Sequence, residues 1–434
     1  MKLKKFRDPI HGFISISPAE LKIIDSPIFQ RTRNIRQLSL GHYVYHGAEH
    51  SRFGHMIGTA HIAGRAFDSL KQNSEELGED FQENDVDRAT LRMAALLHDV
   101  GHAPFSHALE GVLGSVHEKY SKALVKACFE DILSEEDVDV DTVNNLIDGD
   151  PYPDKPYLSK IISGQLDVDR LDYLLRDSYY AGVSYGKYDL DRIITQLAVV
   201  DNKFVVLDGG YEAVEQMIFA RYQMYQQVYF HKTKRVFELM LRKCGEILGD
   251  EIDYPDPSKI EDRSRVEDYM RCDDRWFLNS VFESTDSRVS AIADMIKRRK
   301  PYKEVYSSVT YRKEGIREPS DLISELETIQ TGLQNNLESL GIEDHEFLPD
   351  ESSRSIYKLM PDYSISDTED EAGENIIYIH YKNQHYTEPL EKRSHVIDTL
   401  GRHQTFIIRG FVTPQKYAKA EEYIKRASGL RRPA

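Results

Sequence analysis

The chain has 434 residues, of which 40% are hydrophobic and 30% charged, so an ordinary globular protein with room for two or three domains is expected. Its formal net charge of −17 does not suit sequence-independent binding to DNA, which needs a basic surface, although a local cluster of Arg and Lys can still hold a small anionic ligand. No apolar run is long enough to span a bilayer, MKLKKFRDPIHG lacks the apolar stretch of a secretory signal, and the scattered Cys128, Cys244 and Cys272 argue against a disulfide framework or a Cys-based zinc site and for a reducing cytoplasm.

The first fifty residues open extended and turn-rich (DPIHGFISISP), with short helices predicted around Ala19–Ile24 and Pro27–Leu38. GHYVYHGAEH alternates as a hairpin would. From Arg52 to about Lys71, apolar Phe53, Met56, Ile57, Ala60, Ala63 and Phe67 recur at spacings of three and four, which predicts a helix. Residues 86–99 predict another, stopped by Gly101 and Pro104. Helical patterns follow at about 117–133, 159–180, 189–198, 211–248 and 276–298. VVDNKFVVL (199–207) reads as a hairpin around Asp201-Asn202, and DEIDYPDPSK (250–259) as a linker. The acidic, aperiodic 343–375 is expected to be a loop. IIYIHY (376–381) and QTFIIRGFV (404–412) read as strands, and PQKYAKAEEYIKR as a closing helix with Pro414 near its first position. The expected architecture is mainly α: a helical core over 1–300, a helical and acidic connection over 301–375 and a small α+β unit over 376–434.

Three places gather chemistry: His55 in AEHSRFGHMIG, the adjacent His98-Asp99 in LLHDVGH, and Asp169 in LDVDRLDYLLRD. Two imidazoles and two carboxylates make an N/O ligand set suited to a divalent transition metal such as Mn, Fe, Ni or Zn. An adjacent His-Asp pair can meet one ion only if both side chains turn inward, which a helix end relaxed by Gly101 permits. Taken singly, each residue is as readily a core or capping residue; the joint pattern is harder to explain that way. Asp169, Tyr173 and Asp177 fall at i, i+4 and i+8 on one helix face, while Asp172 and Arg176 are expected as a solvated i, i+4 ion pair on another. Arg221, Tyr225 and Tyr229 also share a face, with Lys232 one turn on. A Tyr-rich stripe is more often core, but Arg and Lys at its ends fit a wall that holds a small anionic ligand.

H…HD…D is the signature of the HD-domain metal-dependent phosphohydrolases. DPIHG, FQRTRNIRQL, YHGAEHSRFGHMIG, LLHDVGHAPFSH, HEKYS, DVDRLDYLLRD and YFHK also follow one another as in the deoxynucleoside triphosphate triphosphohydrolases. Over residues 4–300 the chain resembles that family, in the branch of the mammalian SAM-and-HD-domain enzymes and their bacterial homologues. The resemblance implies that His55, His98, Asp99 and Asp169 coordinate the metal. It makes His102, His107 and His117 further active-site histidines, with His107 protonating the leaving 5′-oxygen and His102 meeting the α-phosphate. Glu110 stands where the family commonly has Asp. Arg52, Arg221 and Lys232 would hold phosphates, Tyr173 and Asp177 would read the sugar 3′-hydroxyl, Gln37 and Leu38 would line the sugar and phosphate region, and Tyr229 would flank the base. Arg170 replaces the family's Lys, keeping the charge but not the geometry.

Asp25, Gln30 and Arg33 match residues that grip a guanine nucleotide between subunits in allosteric members. Arg192 matches a residue of an adjacent activator dNTP site, with Arg409 as a candidate helper. The implied activity is hydrolysis of a dNTP to deoxynucleoside and triphosphate by a cytoplasmic homotetramer. GTP or dGTP with a dNTP would activate it, and Mg²⁺ would accompany the nucleotide phosphates. Two other readings stand beside this one. A phosphohydrolase of nucleoside monophosphates or a signalling nucleotide is disfavoured by Tyr173/Asp177 and Arg221/Lys232. A nucleotide sensor or nucleic-acid binder without turnover is disfavoured by the intact metal set and the acidic charge.

Overall fold

The computed structural model describes residues 3–311 except 115 and 153, 331–351 except 333, 376–401 and 405–428. Among the described residues the strands, in chain order, are β1 (Lys4–Asp8), β2 (Gly12–Ile16), β3 (Leu197–Val200), β4 (Lys203–Leu207), β5 (Lys303–Tyr311), β6 (Phe347–Glu351), β7 (Tyr378–Tyr381), β8 (Tyr386–Pro389) and β9 (Thr405–Val412). The rest of the described chain is mainly helical, as its patterning predicts.

β1 and β2 form a hairpin whose turn is fixed by Asp8, which accepts from the backbone N–H groups of Ile10 and His11. The helix Pro18–Ile24 starts with a capping box between Ser17 and Glu20, and Pro27–Arg31 with a Ser26 cap; both carry Pro in the first turn. The second of these is shorter than the expected Pro27–Leu38, since it gives way to a 3-10 turn at Thr32–Asn34. The expected hairpin at GHYVYHGAEH is not formed. Ser39–Tyr43 is a 3-10 turn whose amides bond locally, Gly41 N–H to Leu38 O and Tyr45 N–H to Gly41 O. Gly47 fits there because a Cβ would come within 2.7 Å of the Tyr180 carbonyl. Its alternation reflects a folded loop pressed on a helix, not a strand.

Three helices build the main core: Arg52–Leu77, Asp85–Leu97 and Val168–Ala181. Met56, Ala60, Ala63 and Phe67 meet Leu91, Ala94 and Ala95 within it. Several predicted long helices are broken. The 117–133 stretch runs through a π turn at Val125–Phe129, and 159–180 splits into Pro156–Ile162 and Val168–Ala181. The 211–248 stretch splits at a π turn, Tyr225–Tyr229, before Lys232–Leu248. Residues 276–298 become Asp274–Phe282 and Ser287–Lys297. Lys232–Leu248 packs with those last two helices in a second core.

β3 and β4 pair through a turn at Asp201-Asn202, both at positive φ. β4 then pairs in parallel with β7, so the sheet order β3-β4-β7-β8 joins the middle of the chain to its C-terminal part. A second sheet has the order β5-β9-β6. The expected helical and acidic connection therefore contains strands β5 and β6, the latter inside the segment expected to be a loop. The remainder of that segment, 352–375, lies outside the described residues. The closing helix starts at Tyr417, with Pro414 in the preceding turn rather than at its first position. Among the described residues no helix is long and apolar enough to cross a membrane.

Candidate active site

His98 is the C-cap of the Asp85–Leu97 helix. Its Nδ1 lies 2.8 Å from the Ala95 carbonyl, which can only accept, so Nδ1 carries the proton and Nε2 keeps its lone pair. His55 sits in the first turn of Arg52–Leu77 and donates from Nδ1 to Asp172 Oδ2 at 2.8 Å, turning Nε2 to within 2.9 Å of Asp169 Oδ1. Both Nε2 atoms are buried, and with the proton of each neutral ring on Nδ1 neither can donate to the carboxylate it faces, so each is left without a hydrogen-bonding partner. Facing atoms of His55, His98 and Asp169 lie within 4.8 Å of one another. Orphaned buried nitrogens facing a carboxylate are costly unless something else completes them, and a divalent cation suits this donor set. Electrostatics point the same way. Burial works against a charged His55, yet the Asp169 and Asp172 carboxylates outweigh it and lift its pKa to about 10. Burial likewise opposes ionisation of Asp169, but His55 and His98 hold its carboxyl well below the usual range. The pocket calls for positive charge.

Asp99 borders this group. Its Oδ2 is ion-paired with Arg52 and lies 3.6 Å from His55 Nε2, while Oδ1 is 3.4 Å from His98 Nε2 and 3.2 Å from His102 Nε2. The HDVGH turn is possible because Gly101 has no side chain: a Cβ would meet Ser121 N at 2.1 Å. Ser121 Oγ completes the junction by accepting from Gly101 N–H and donating to His98 O.

Asp172 and Arg176 are not the solvated pair expected from sequence. Both are buried, and Asp172 accepts from Arg176 Nε and Nη2, from His55 Nδ1 and, at 2.6 Å, from His11 Nε2 of the first hairpin. Arg176 also donates to Asp8. This network fixes the tautomer and orientation of His55, the usual service of a carboxylate behind a metal-binding histidine. Sequence reasoning missed it because Asp8 and His11 lie far from Asp172 in the chain.

Beyond Asp99 lies a second group. His102 stacks on His117 at 3.8 Å between ring centroids. Glu110 accepts from His117 Nδ1 at 2.7 Å and from His107 Nδ1 at 3.0 Å. Burial disfavours the Glu110 carboxylate, but those two bonds prevail and hold it well below its ordinary range. Burial, then Arg52 and His117, keep His102 neutral against the pull of Asp99. The His107 side chain is 68% exposed and faces the opening.

His98, Asp99, His102, His107, His117 and Asp169 line a cleft of about 530 Å³, a size that suits a nucleotide. Gln37, Leu38, Arg52, Arg170, Tyr173, Asp177 and Tyr229 line it as well. Arg52 donates from Nε to Ser106 Oγ, and Arg170 is tied to Asp167 and Gly164 O. Asp177 accepts from the Tyr229 hydroxyl at 2.8 Å and from His50 Nε2 at 2.7 Å, another partner that sequence reasoning missed. Two expected phosphate holders are placed elsewhere. Arg221 is buried behind the wall, with Nη1 on Gln165 and its guanidinium 5.7 Å from the Tyr225 ring. Lys232 is half exposed beside Glu304 of β5; Lys234 and Arg235 line the cleft instead, held by Glu238 and by Asp350 of β6.

Of the expected regulatory residues, Gln30 and Arg33 touch: Arg33 Nε donates to Gln30 Oε1 at 2.7 Å and the guanidinium stacks 3.5 Å from the Phe53 ring. Asp25 is an exposed helix C-cap nearby in sequence. Arg192 donates to Gly209 O and Arg409 to Phe230 O, each on a separate element.

A mainly helical chain that gathers imidazoles and carboxylates at the floor of a cleft edged with Arg and Lys has the build of a phosphohydrolase. The comparisons agree. The HD domain model matches residues 52–177 and the HD associated region model 188–332. The uncharacterized protein YwfO of Bacillus subtilis is 34% identical over 68% of this chain and 69% of its own. The human deoxynucleoside triphosphate triphosphohydrolase SAMHD1 is 28% identical over 68% of this chain and 53% of its own. A crystal structure of a hypothetical protein from Aquifex aeolicus superposes with a TM-score of 0.74 at 29% identity, covering 98% of this chain and 100% of that one. The chain spans roughly half to two thirds of the length of the curated relatives it matches. It belongs to the HD-domain family and carries the HD-associated region.

Proposed function

We propose that this protein is a metal-dependent dNTP triphosphohydrolase that releases a deoxynucleoside and inorganic triphosphate. The observation that carries the reading is the convergence of the unpartnered His55 and His98 Nε2 atoms with Asp169, beside the His102/His107/Glu110/His117 group, in one nucleotide-sized cleft. His55, His98, Asp99 and Asp169 would hold a divalent transition metal, which when bound supplies Lewis-acid polarisation of the phosphate.

The chain's own residues do the rest. Neutral His102 faces the α-phosphate. His107 delivers a proton to the 5′-oxygen as it leaves, and Glu110 orients both His107 and His117 for that transfer. Without the proton, an alkoxide would have to be expelled. Arg52, Arg170 and the Lys234/Arg235 edge hold the phosphates, with Arg221 behind them. Tyr173 and Asp177 hold the sugar 3′-hydroxyl, and Tyr173 occupies the space a 2′-hydroxyl would need. Asp25, Gln30 and Arg33 form one wall of a guanine-nucleotide site at a subunit interface, through which GTP or dGTP, with a dNTP at Arg192, assembles an active tetramer.

The test is the purified chain with a dNTP mixture and Mg²⁺ or Mn²⁺, with and without GTP, products resolved by chromatography. Deoxynucleoside and triphosphate are expected, with more turnover in the presence of GTP. Appearance of only mono- or diphosphate products would sink the reading.

A further inference from the structure

The turn that carries His102 and His107 is tied down from outside the HD helices. Gly101 O accepts from the Tyr269 hydroxyl at 2.7 Å, His102 O from Arg31 Nη1 at 3.0 Å, and Phe105 N–H donates to Asp274 Oδ1 at 2.7 Å. Tyr269 lies on the helix Val266–Arg271 and Asp274 opens the helix Asp274–Phe282, both within the HD-associated region. Arg31 closes the helix Pro27–Arg31, donates also to Cys272 O, and lies 4.3 Å over the Tyr269 ring. All three side chains are buried.

The turn needs such holding. Phe105 and Ser106, immediately before His107, have φ of 55° and 54°. Left-handed backbone is unfavourable at residues other than glycine and persists only where the surroundings enforce it. The other Asp274 oxygen, Oδ2, accepts from Arg36 N–H at 3.0 Å, and the next two residues, Gln37 and Leu38, line the cleft. One carboxylate thus ties the proton-handling turn to the neighbouring edge of the site. Burial raises the Asp274 carboxyl to about 6 although the two amides and Arg36 favour its charge.

We propose that Asp274 is a positioning residue of the active site, assisted by Tyr269 and Arg31, that fixes the backbone from Gly101 to Ser106 so that His107 meets the leaving oxygen. This rests on His107 as the proton donor but not on the substrate being a dNTP. Misplacing a reacting group by about 1 Å costs on the order of 10²-fold in rate. Substrate binding is spread over the rest of the cleft and would change little.

Asp274→Asn keeps the size of the side chain but turns an N–H toward one of the two backbone donors. It is to be compared with the unmodified chain on the 4-nitrophenyl and phenyl esters of inorganic triphosphate, in which the aryl oxygen takes the place of the leaving 5′-oxygen. Turnover of the phenyl ester should fall about 10- to 100-fold, while the 4-nitrophenyl ester, whose leaving group needs no proton, falls less than about 3-fold, with KM and bound metal unchanged. Equal losses on both esters, loss of metal together with activity, or no loss on either overturns the proposal. Tyr269→Phe removes a single hydroxyl and should show the same selective loss at about 3- to 10-fold. If Asp274→Asn does not fold, equal behaviour of Tyr269→Phe on both esters overturns the proposal in its place. An unmodified chain that cleaves the aryl esters but no dNTP refutes the triphosphohydrolase reading alone, and the ester ratio of the variants still decides the role of Asp274.

Discussion

At the scale of single residues, the proposed metal-holding and proton-handling roles are separable although the segment from His98 to His117 contributes to both. His98 offers its Nε2 to the His55/Asp169 group, whereas His107 is exposed and hydrogen-bonds Glu110. His98→Ala should therefore lose bound metal and activity together. His107→Ala should keep the metal, measured by elemental analysis, and lose about 10²- to 10⁴-fold in turnover, the usual contribution of a general acid. Metal loss in His107→Ala would contradict this division. That His55, His98 and Asp169 gather was legible from the joint pattern of imidazoles and carboxylates, since each residue singly has a ready structural explanation. Asp172 was not, because an i, i+4 Asp–Arg pair has one: an exposed helix face. Only tertiary packing, which brings His11 from 161 residues away and removes solvent, changes its meaning. Lys232 shows the same limit. It begins a helix, and spacing alone cannot say whether it or Lys234 and Arg235 enters the cleft.

At the scale of elements, period and punctuation found most helices, but not where tertiary contacts interrupt them. The π turns at Val125–Phe129 and Tyr225–Tyr229 leave no signature in apolar spacing. Gly58 shows how an element is fitted to its neighbour. In an isolated helix, Gly→Ala gains about 1 kcal/mol. Within Arg52–Leu77, however, a Cβ on Gly58 would lie 1.9 Å from Asp172 Oδ1 and 2.5 Å from Arg176 Nη2. Neither group can yield easily, since Asp172 is bound to His11 and His55 and Arg176 to Asp8. Gly58→Ala should thus destabilise by about 2–4 kcal/mol in thermal unfolding, with metal affinity weakened about 10- to 100-fold as His55 loses its orienting carboxylate. Gly54→Ala, whose Cβ would stand 3.4 Å from Arg176 Nη1, is the near-neutral control. Equal stability and metal affinity in the two variants would show that the network relaxes without effect.

At the scale of the molecule, the sequence suggested a helical core followed by a small α+β unit, and the strand pairing shows how the two are joined. β7 extends the β3-β4 hairpin in parallel, Val205–Leu207 against Tyr378–His380. Ile377, Ile379, Leu390 and Ile397 belong to the main core, while Leu348 and Phe411 belong to the second. Asp350 holds Arg235 at the cleft edge, and the Tyr302 hydroxyl donates to His345 O. Such pairings were not legible because two strands some 170 residues apart carry no local sign of each other. Each buried apolar side chain is worth about 1.5–3 kcal/mol, so these six are comparable to the 5–15 kcal/mol that stabilises a typical domain. A chain ended at residue 300 would uncover the β4 edge and the surfaces under those side chains, and would leave Arg235 without Asp350. It is expected to lose cooperative unfolding in calorimetry and its near-ultraviolet circular dichroism while retaining helical signal. A sharp transition within about 5 °C of the full chain's, a shift worth only about 1–2 kcal/mol, would instead show that the helical portion is self-sufficient and that the C-terminal strands serve the cleft rather than the fold.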